Sequence, residues 1–445
     1  MMIDTIRGAI ASINGQDAVK ISDWRLVERK LQLQERYYIA AKAEQARVVD
    51  ECSYSLTVYV DTHEDNKQYR GEATITIQPT FSLEDCTAKI RQAVFAASKS
   101  HNPWFGLPTP SALKVTLPVS GFEALSPSDQ VEVVRKAFYS AAVPFAGSAR
   151  INALELFIIK EQKRLINSCG VDYSATIWRG YSEFVVEADS PNGPVELFDD
   201  IEFSEPDTAR LADTISARLA QVRDRALALP MPQLQQVPVI LRGKEAEEVF
   251  SWFFHNSRTE MIYSKASAFG LGKNVQKASD SEEVAEPLDI WAEPVISGLP
   301  SSAAFDIDGF PLERTTVIEK GVLNTLIGSV RHADWLGVPR KGAFPLFSVS
   351  SGSMSLEAMH AAPYLEPVMF SDFQLDPVTG DFGAEVRLAY YFDGEKVIPV
   401  SGGSISGSLG ALRASMRRSA ETAVATLSRC PVAIMLQGAI ITGMN

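Results

Sequence analysis

The segment Leu229-Pro230-Met231-Pro232 is the feature that most constrains how this chain can fold. A helical pattern runs from Glu205 to Ala228, and the two prolines end it, because proline lacks the backbone N–H that a helix interior needs. Beyond this break the sequence changes to short strands with many glycines and serines. We therefore predict two parts, an N-terminal region over residues 1–230 and a C-terminal domain over residues 231–445.

The N-terminal region mixes helical and strand patterns. Isoleucines at positions 3, 6, 10 and 13 recur at helical spacing, which places them on one face of a first helix. Residues 54–60 and 73–77 alternate apolar and polar side chains around a polar turn, which predicts a β-hairpin. Helices are also predicted from Ser82 to Ala97 and from Ser126 to Ala142. With the strand-rich second half, these patterns predict an α+β protein whose C-terminal domain is largely antiparallel sheet.

Two stretches of the N-terminal region resemble each other. Glu44-Gln45-Ala46-Arg47 is followed by Cys52 and Tyr54-Ser55, and Glu161-Gln162-Lys163-Arg164 is followed by Cys169 and Tyr173-Ser174. The offset is about 117 residues, and both stretches lead into alternating strands. This pattern leaves two alternatives, either two related units near 1–120 and 121–230 or chance similarity between two strands.

Charge and cysteine content exclude several classes of protein. The net charge is −13 and no run of Lys or Arg exceeds a pair, so direct nucleic-acid binding is not expected. The four cysteines show no CxxC pattern and are too sparse for a disulfide framework. Asp4 and Arg7 interrupt the N-terminal apolar region, and no run of eighteen apolar residues occurs. We therefore expect a cytoplasmic protein with reduced thiols and no membrane span.

Local motifs for hydrolytic chemistry are missing from the sequence. No two of the five histidines lie within one helical turn of each other, as a helical zinc motif would require. The serine-rich segment Gly402–Gly407 does not have G-x-S-x-G spacing, and Gly270-Leu271-Gly272-Lys273 is not followed by Ser or Thr as in a phosphate loop. Cys430 lies in an apolar setting, which favours a buried, inert thiol.

Several short segments after about Val237 form a recognisable series. They are Gly298-Leu299-Pro300, Phe305-Asp306, Asp308-Gly309, Arg314-Thr315, Ile318–Leu323, Val378-Thr379-Gly380-Asp381-Phe382, Asp393-Gly394-Glu395 and Pro399-Val400-Ser401. In these segments the chain resembles the PmbA/TldD family, whose members are also described as modulators of DNA gyrase. The similarity extends in order over roughly the last 200 residues, and it is closest to the non-catalytic, TldE-like subunit of the family.

The resemblance implies a zinc motif, HExxxH, on a helix that corresponds here to residues 243–256, with a late cysteine as a further ligand. In this chain Ser, Trp and Asn replace the first His, the Glu and the last His of that motif. The positions that correspond to the zinc site are Ser251, Trp252, His255, Asn256 and Cys430. We therefore expect no metal and no catalytic residue in this chain, with zinc held by a catalytic partner.

The resemblance leaves three functions open. The first is a non-catalytic partner subunit of a TldD/PmbA-type metalloprotease that processes or degrades unfolded peptides, paired with a TldD-like chain or with itself. The second is an active zinc metallopeptidase with unconventional ligands, such as His255, Cys430 and a carboxylate. The third is a stand-alone, peptide-binding homodimer. Peptide is expected along the strand around 305–323 by β-augmentation, with contacts from Phe305, Asp306, Arg314 and Thr315.

Overall fold

The computed structural model describes residues 2–278 and 282–444. The N-terminal part contains two single turns of 3₁₀ helix, Gly121–Ala124 and Val143–Phe145. Its other elements, in chain order, are α1 (Met2–Gln16), β1 (Asp23–Ile39), β2 (Lys42–Glu64), β3 (Lys67–Ile77), α2 (Leu83–Ala97), β4 (Asn102–Pro103), α3 (Pro127–Ala142), β5 (Arg150–Asn167), β6 (Asp172–Ser190), β7 (Gly193–Phe203) and α4 (Thr208–Ala226).

Seven strands of this part form one antiparallel sheet in the order β4-β3-β2-β1-β5-β6-β7. The predicted hairpin is present as β2 and β3, with Tyr54 opposite Ile77. Both strands are longer than the pattern indicated, because the turn is confined to Asp65 and Asn66, whose φ angles of 49° and 60° are left-handed. The alternation of apolar and polar residues predicted only the part of β2 whose side chains pack in an apolar cluster.

The sheet is built from two units with the same order of elements. In the first unit α1, three strands and α2 follow one another, and α3, β5–β7 and α4 repeat this order. Corresponding elements begin 125 to 130 residues apart. The 117-residue offset of the sequence similarity differs from this spacing, because it matches part of β2 to a stretch that runs from the end of β5 into the start of β6. The two related units suggested by that similarity stay a prediction. The predicted boundary near residue 230 stays a prediction.

The helices cover one face of this sheet at its two ends. Ile6 of α1 and Ile90 of α2 pack with Leu26 and Leu56 in one apolar cluster. Phe138 of α3 and Ile215 of α4 pack with Leu154 and Phe184 in a second cluster. Helices α3 and α4 begin under side-chain caps, Ser126 and Asp207, which supply acceptors for otherwise unpaired amides. Each helix pair therefore stabilises one end of the sheet.

The C-terminal part contains many short elements. In chain order they are β8 (Leu229–Pro230), β9 (Val239–Arg242), α5 (Gly243–Asn256), α6 (Thr259–Tyr263), β10 (Ile290–Glu293), β11 (Thr315–Glu319), β12 (Val322–Leu323), α7 (Val330–Leu336), β13 (Leu346–Val349), α8 (Leu356–Met359), β14 (Tyr364–Leu375), β15 (Asp381–Phe392), β16 (Val397–Ser401), β17 (Ser404–Ser408), α9 (Leu409–Leu412), β18 (Arg417–Arg418), β19 (Thr422–Val424), β20 (Ser428–Pro431), β21 (Ala433–Leu436) and β22 (Ile440–Thr442).

These strands form two sheets around one core. One sheet has the order β12-β11-β10-β13-β20-β19, and the other runs β18-β21-β9-β14-β15-β16-β8 with β17 and β22 attached through β15. Most pairs are antiparallel, and the parallel exceptions are β13 with β20, β14 with β9 and β16 with β8. Apolar residues of both sheets pack with Phe250 and Phe253 of α5 in a single cluster. The prediction of an α+β protein with a strand-rich, largely antiparallel C-terminal part is confirmed.

Within the described residues, no helix is long and apolar enough to cross a membrane.

Candidate functional site

Helix α5 occupies the place predicted for the zinc-motif helix, over the predicted residues Gly243–Asn256. Most residues of this helix are buried. Val249, Phe250 and Phe253 are among those that pack into the apolar core of the C-terminal part. The helix follows directly on β9, and Gly243 at the junction has a φ of 58°, which favours glycine. Side chains on this helix are therefore held in fixed positions by packing.

Trp252 stands where the family motif has its glutamate, and it is a core residue. Its indole is 4% exposed and lies edge-on to the rings of Phe253 and Phe269, with centroid separations of 5.0 and 5.2 Å. Gly380, in the turn between β14 and β15, lies so close that an added Cβ would be 3.0 Å from the indole carbons. This position supplies packing, and it carries no group that could accept a proton from water.

Asn256 stands where the motif has its last histidine, and its amide ties the helix to the same turn. The side-chain Nδ2 donates to the carbonyl of Trp252 at 2.9 Å and to the carbonyl of Pro377 at 2.8 Å. The Oδ1 atom is buried without a hydrogen-bond partner, as is Nε1 of Trp252. Because both amide protons are used, Asn256 serves as a structural link between α5 and the β14–β15 turn.

Ser251 and His255 lie on the less buried side of α5. Burial lowers the pKa of His255, and the positive charge of Arg258 lowers it further. The imidazole is therefore neutral at pH 7, the form in which histidine can act as a ligand. Neither neighbour at the motif positions, Trp252 or Asn256, offers a second nitrogen or carboxylate ligand.

Cys430 lies on β20, 3% exposed, close to the start of α5. Burial raises the pKa of its thiol to about 12, and the charge of Glu247 raises it as well. The sulfur is thus protonated at neutral pH, whereas a metal ligand or nucleophile must be a thiolate. The thiol behaves as a small apolar side chain of the core.

Glu247 on α5 is a buried charge that sequence reasoning missed. Its carboxylate accepts from the amides of Thr426 and Leu427, at 3.1 and 2.7 Å, and from Oγ of Ser428 at 2.7 Å. These three bonds hold the turn that leads into β20 and therefore position Cys430. Its sequence position could have indicated this role, because Glu247 lies one helical turn before Ser251 on a largely buried helix, where an unpaired charge would be costly.

These residues do not fit a zinc ion. A catalytic zinc site uses three protein ligands with an open fourth position. Across residues 2–278 and 282–444, no group of three or more His, Cys, Asp or Glu is arranged to hold a metal. The donor chemistry agrees, since Glu247 is already bonded and the Cys430 thiol is protonated.

The structure places the predicted peptide-contacting residues away from α5. Strand β11, which begins at Thr315, is separated from β20 by β10 and β13. Three strand spacings correspond to about 14 Å. Cys430 on β20 thus lies near Glu247 of α5, whereas the segment 305–315 lies elsewhere. The grouping of Ser251–Asn256 with Cys430 stays a prediction.

Phe305 and Asp306 are buried, and they connect the two parts of the chain. The ring of Phe305 lies 5.5 Å from that of Tyr173, and the ammonium of Lys163 is 5.7 Å from its centre. Next to this contact, Arg25 of β1 forms an ion pair with Asp308. Phe305 therefore packs against the N-terminal sheet and is not available to a peptide.

Asp306 organises the turn that follows. Its Oδ1 accepts from the amides of Asp308 and Phe310, at 2.9 and 2.8 Å, and Oδ2 accepts from the amide of Ala343 at 3.0 Å. Burial raises the pKa of Asp306 to about 6, and the nearby charge of Asp308 adds to this effect. Its role in the structure is to satisfy backbone groups.

Arg314 and Thr315 differ in exposure. Arg314 is exposed, lies 4.7 Å from the ring of Trp291 and donates to Glu293 at 2.8 Å. Thr315 is 7% exposed and its hydroxyl donates to the carbonyl of Glu313 at 2.9 Å. Of the four predicted contacts, Arg314 is the one whose side chain a peptide could reach.

Known proteins resemble this chain in sequence and in fold. Residues 234–443 match the family model of the PmbA/TldA metallopeptidase C-terminal domain. An uncharacterized protein of Methanocaldococcus jannaschii is 24% identical over 160 residues, which is 31% of this chain and 36% of that protein. The match thus spans little more than a third of that relative's length.

Two solved structures share the whole fold. TldE from Thermococcus kodakarensis covers 100% of both chains with a TM-score of 0.77 and 15% identity. A proposed modulator of a DNA gyrase from Thermotoga maritima covers 99% of both chains, also with a TM-score of 0.77 and 15% identity. At this identity the likeness concerns the fold alone.

Proposed function

We propose that this chain, whose residues 234–443 match the PmbA/TldA metallopeptidase C-terminal domain, is the non-catalytic partner subunit of a TldD/PmbA-type metalloprotease complex that processes or degrades unfolded peptides. The observation that carries the proposal is the packing of α5. Trp252 is buried between aromatic rings and Asn256 holds two backbone carbonyls, so both positions serve the fold where the family motif would serve zinc.

In this proposal the zinc and the attacking water belong to a partner chain that bears HExxxH. Metal-bound water would be deprotonated there by the motif's glutamate. This chain would supply a wall of the chamber in which the peptide is cut, and it would hold no zinc itself. The partner is a TldD-like chain or, in the absence of one, a second copy.

Arg314 remains the proposed peptide contact of the C-terminal part. Its guanidinium is exposed and is already oriented by Glu293 and Trp291. A positioned, exposed cation can bind a peptide carboxylate or carbonyl at little further entropic cost. Arg314→Ala should weaken peptide binding by the complex, and Lys320→Ala, which removes an exposed cation after the same strand, is the matched control.

The deciding experiment measures zinc per chain by elemental analysis of tag-free protein purified without added metal. We expect zinc far below one per chain. Cys430→Ser and His255→Ala should leave that content unchanged, as should the control Cys52→Ser, which alters a half-buried thiol of the N-terminal sheet. One zinc per chain that is lost in the Cys430 or His255 variant, but kept in the control, would make this chain an active metallopeptidase with unconventional ligands.

A reconstitution experiment separates the remaining alternatives. The chain is mixed with an HExxxH-bearing relative, and cleavage of a fluorescently labelled unfolded peptide is followed. The partner-subunit proposal predicts cleavage by the mixture and little by either chain alone. A stable homodimer that binds the peptide, and neither associates with the relative nor changes its activity, would instead identify a stand-alone peptide-binding protein.

A further inference from the structure

Strand β6 leaves half of its outer edge unpaired. Its residues from Asp172 to Glu187 pair with β5 on one side, but β7 pairs only with the part from Gly180 to Ser190. Within the described chain, no strand lies against residues 172–179 on the other side. These eight residues span about 25 Å of open strand edge.

The open edge presents a defined set of backbone groups. Asn167 donates its N–H to the carbonyl of Val171 where β5 turns into β6. In an antiparallel ladder every second residue faces the same neighbour, so Tyr173 and the alternate residues after it face β5. Ser174, Thr176 and Trp178 therefore direct their amides and carbonyls outward, and Ser174 and Thr176 are exposed. Such a row of donors and acceptors is complementary to another extended backbone.

A cavity of about 620 Å³ lies along this edge. One wall is the edge itself, and the opposite wall is the segment 113–120, which runs past without a backbone hydrogen bond to it. Leu299, Pro300 and Ala304 of the C-terminal part line it as well. At the far end the hydroxyl of Tyr173 accepts from and donates to the backbone of Ser111, at 2.8 and 2.6 Å. These two hydrogen bonds close the space at this end.

Charge at the other end selects a direction for that strand. Lys160 donates to Glu123 at 2.7 Å, and Nε1 of Trp178 donates to the same carboxylate at 2.7 Å. The charges of Lys160 and Glu123 therefore cancel each other. Glu205 accepts from the amide of Gly121 at 2.6 Å, and it has no ion-pair partner in the described part of the chain. One negative charge in the lining is therefore left without a cation.

Strand β7 ends at Phe203, opposite Gly180 of β6, and Glu205 lies two residues further on. An added strand along residues 172–179 would continue the line of β7 from this point. A strand antiparallel to β6 would run in the same direction as β7, so its N-terminal end would lie next to Glu205. A parallel strand would place its C-terminal carboxylate there, and the two negative charges would repel. Charge complementarity therefore favours an antiparallel strand with a basic N-terminal end.

We propose that the β6 edge over residues 172–179 is a binding site for an extended peptide segment with apolar side chains, which adds as an antiparallel strand with its N-terminal amine or a basic residue at Glu205. The site would serve the peptide handling proposed above and rests on it for its biological use. Its evidence is the open edge, the cavity beside it and the charge of Glu205, so binding by the isolated chain can fail or succeed independently of the zinc and reconstitution experiments.

The test uses a synthetic peptide of about eight residues, the length of the open edge. The peptide alternates valine and threonine, has a free N-terminal amine and carries a C-terminal fluorophore for anisotropy measurements with the full chain. A control peptide of the same sequence has N-methyl groups on alternate amides, which removes donors to the edge. We expect N-methylation to weaken binding at least about tenfold, since several backbone hydrogen bonds are lost. Equal affinity of the two peptides would overturn the proposal.

Variants of the chain locate the site. Thr176→Pro removes one outward N–H and should weaken binding of the unmodified peptide about tenfold, whereas Thr176→Val keeps the backbone and should not. Acetylation of the peptide's N-terminus should weaken binding by wild type several-fold, and Glu205→Gln should abolish that difference. If Thr176→Pro fails to fold, the N-methylated peptide and Glu205→Gln still decide the question.

Hydrogen exchange identifies the occupant. Peptide binding should slow exchange of the outward amides of Ser174, Thr176 and Trp178, and leave the amides that already face β5 unchanged. Protection confined to the segment 305–323 would refute the site. A dimer of the chain alone that is lost in Thr176→Pro would show that a second copy, and not a peptide, covers this edge.

Discussion

Replacing Trp252 tests whether the zinc-motif position has become part of the core. The indole touches the rings of Phe253 and Phe269 and lies under Gly380, with only 4% of it exposed. A buried tryptophan removes about 200 Å² of apolar surface from water, which at about 25 cal/mol per Å² corresponds to about 5 kcal/mol. Trp252→Ala should therefore destabilise α5 by about 3–5 kcal/mol, the usual range for loss of a large core aromatic.

Trp252→Phe is the matched control, and it should cost far less. Phenylalanine keeps most of the ring contacts, and it removes the indole N–H, which is buried without a partner. Relief of an unpaired donor is worth about 1–3 kcal/mol, which offsets most of the smaller cavity, so we expect a change below about 1 kcal/mol.

The assay is hydrogen exchange of the α5 amides, since it reports the free energy of local opening without assuming that the whole chain unfolds in one step. Protection of the helix should fall about 100-fold or more in Trp252→Ala and change less than about tenfold in Trp252→Phe. If Trp252→Ala exchanges like wild type, the indole does not support the core. The argument that this position has been given over to packing would then be wrong.

Three other predictions concern ionisable side chains of the C-terminal part. Burial raises the pKa of Glu248 to about 7, and the charges of Glu245 and Asp372 add to this effect, so the folded state keeps a proton that the unfolded state releases above pH 4.5. The free energy of unfolding should therefore fall between pH 4.5 and 7. In urea unfolding, Glu248→Gln should be more stable than wild type by about 1 kcal/mol at pH 8 and equally stable below pH 4.5. Cys430, with a pKa of about 12, should resist iodoacetamide at pH 8 until the protein is unfolded, while the half-buried Cys52 reacts in the native state; rapid native labelling of Cys430 would contradict its burial. Asp306→Ala leaves three amides without their acceptor and should loosen the turn by about 2–4 kcal/mol, seen as faster proteolysis there, whereas Asp306→Asn should loosen it less.

Periodicity in the sequence predicted the strands that have one face packed under helices along the predicted stretch. Helix α5 was placed at its observed bounds by the family resemblance. The β2–β3 hairpin was predicted from its own alternation, which is clear because this part of the sheet lies under α1 and α2. Strand β1 gave no such signal. On its helix-bearing face Leu26 is buried under one helix pair and Tyr38 under the other, but Lys30 and Gln32 lie exposed in the gap between them. Periodicity therefore indicated burial only where a helix covered the strand.

The candidate site was predicted in part for a related reason. The family resemblance placed Ser251 to Asn256 on one helix, which is present as α5. Its inclusion of Cys430 among the zinc-site positions stays a prediction. Spacing cannot show burial, so it did not distinguish Phe305, which packs on the N-terminal sheet, from the exposed Arg314. The role of Glu247 depends on a turn 179 to 181 residues away, which no local pattern reveals.

The antiparallel pairing of β1 with β5 has a consequence for synthesis of the chain on the ribosome. The first unit of the sheet is complete by Ala97, but β1 gains its second neighbour only when Arg150–Asn167 has been made. At about 5–20 residues per second, synthesis of the residues between Ala97 and Asn167 takes about 4 to 14 seconds, and that edge stays unpaired during this time. The exposed Lys30 and Gln32 on β1 would make it a poor template for another nascent chain during that interval. Polar residues in the middle of the finished sheet would thus have protected the half-made protein from aggregation.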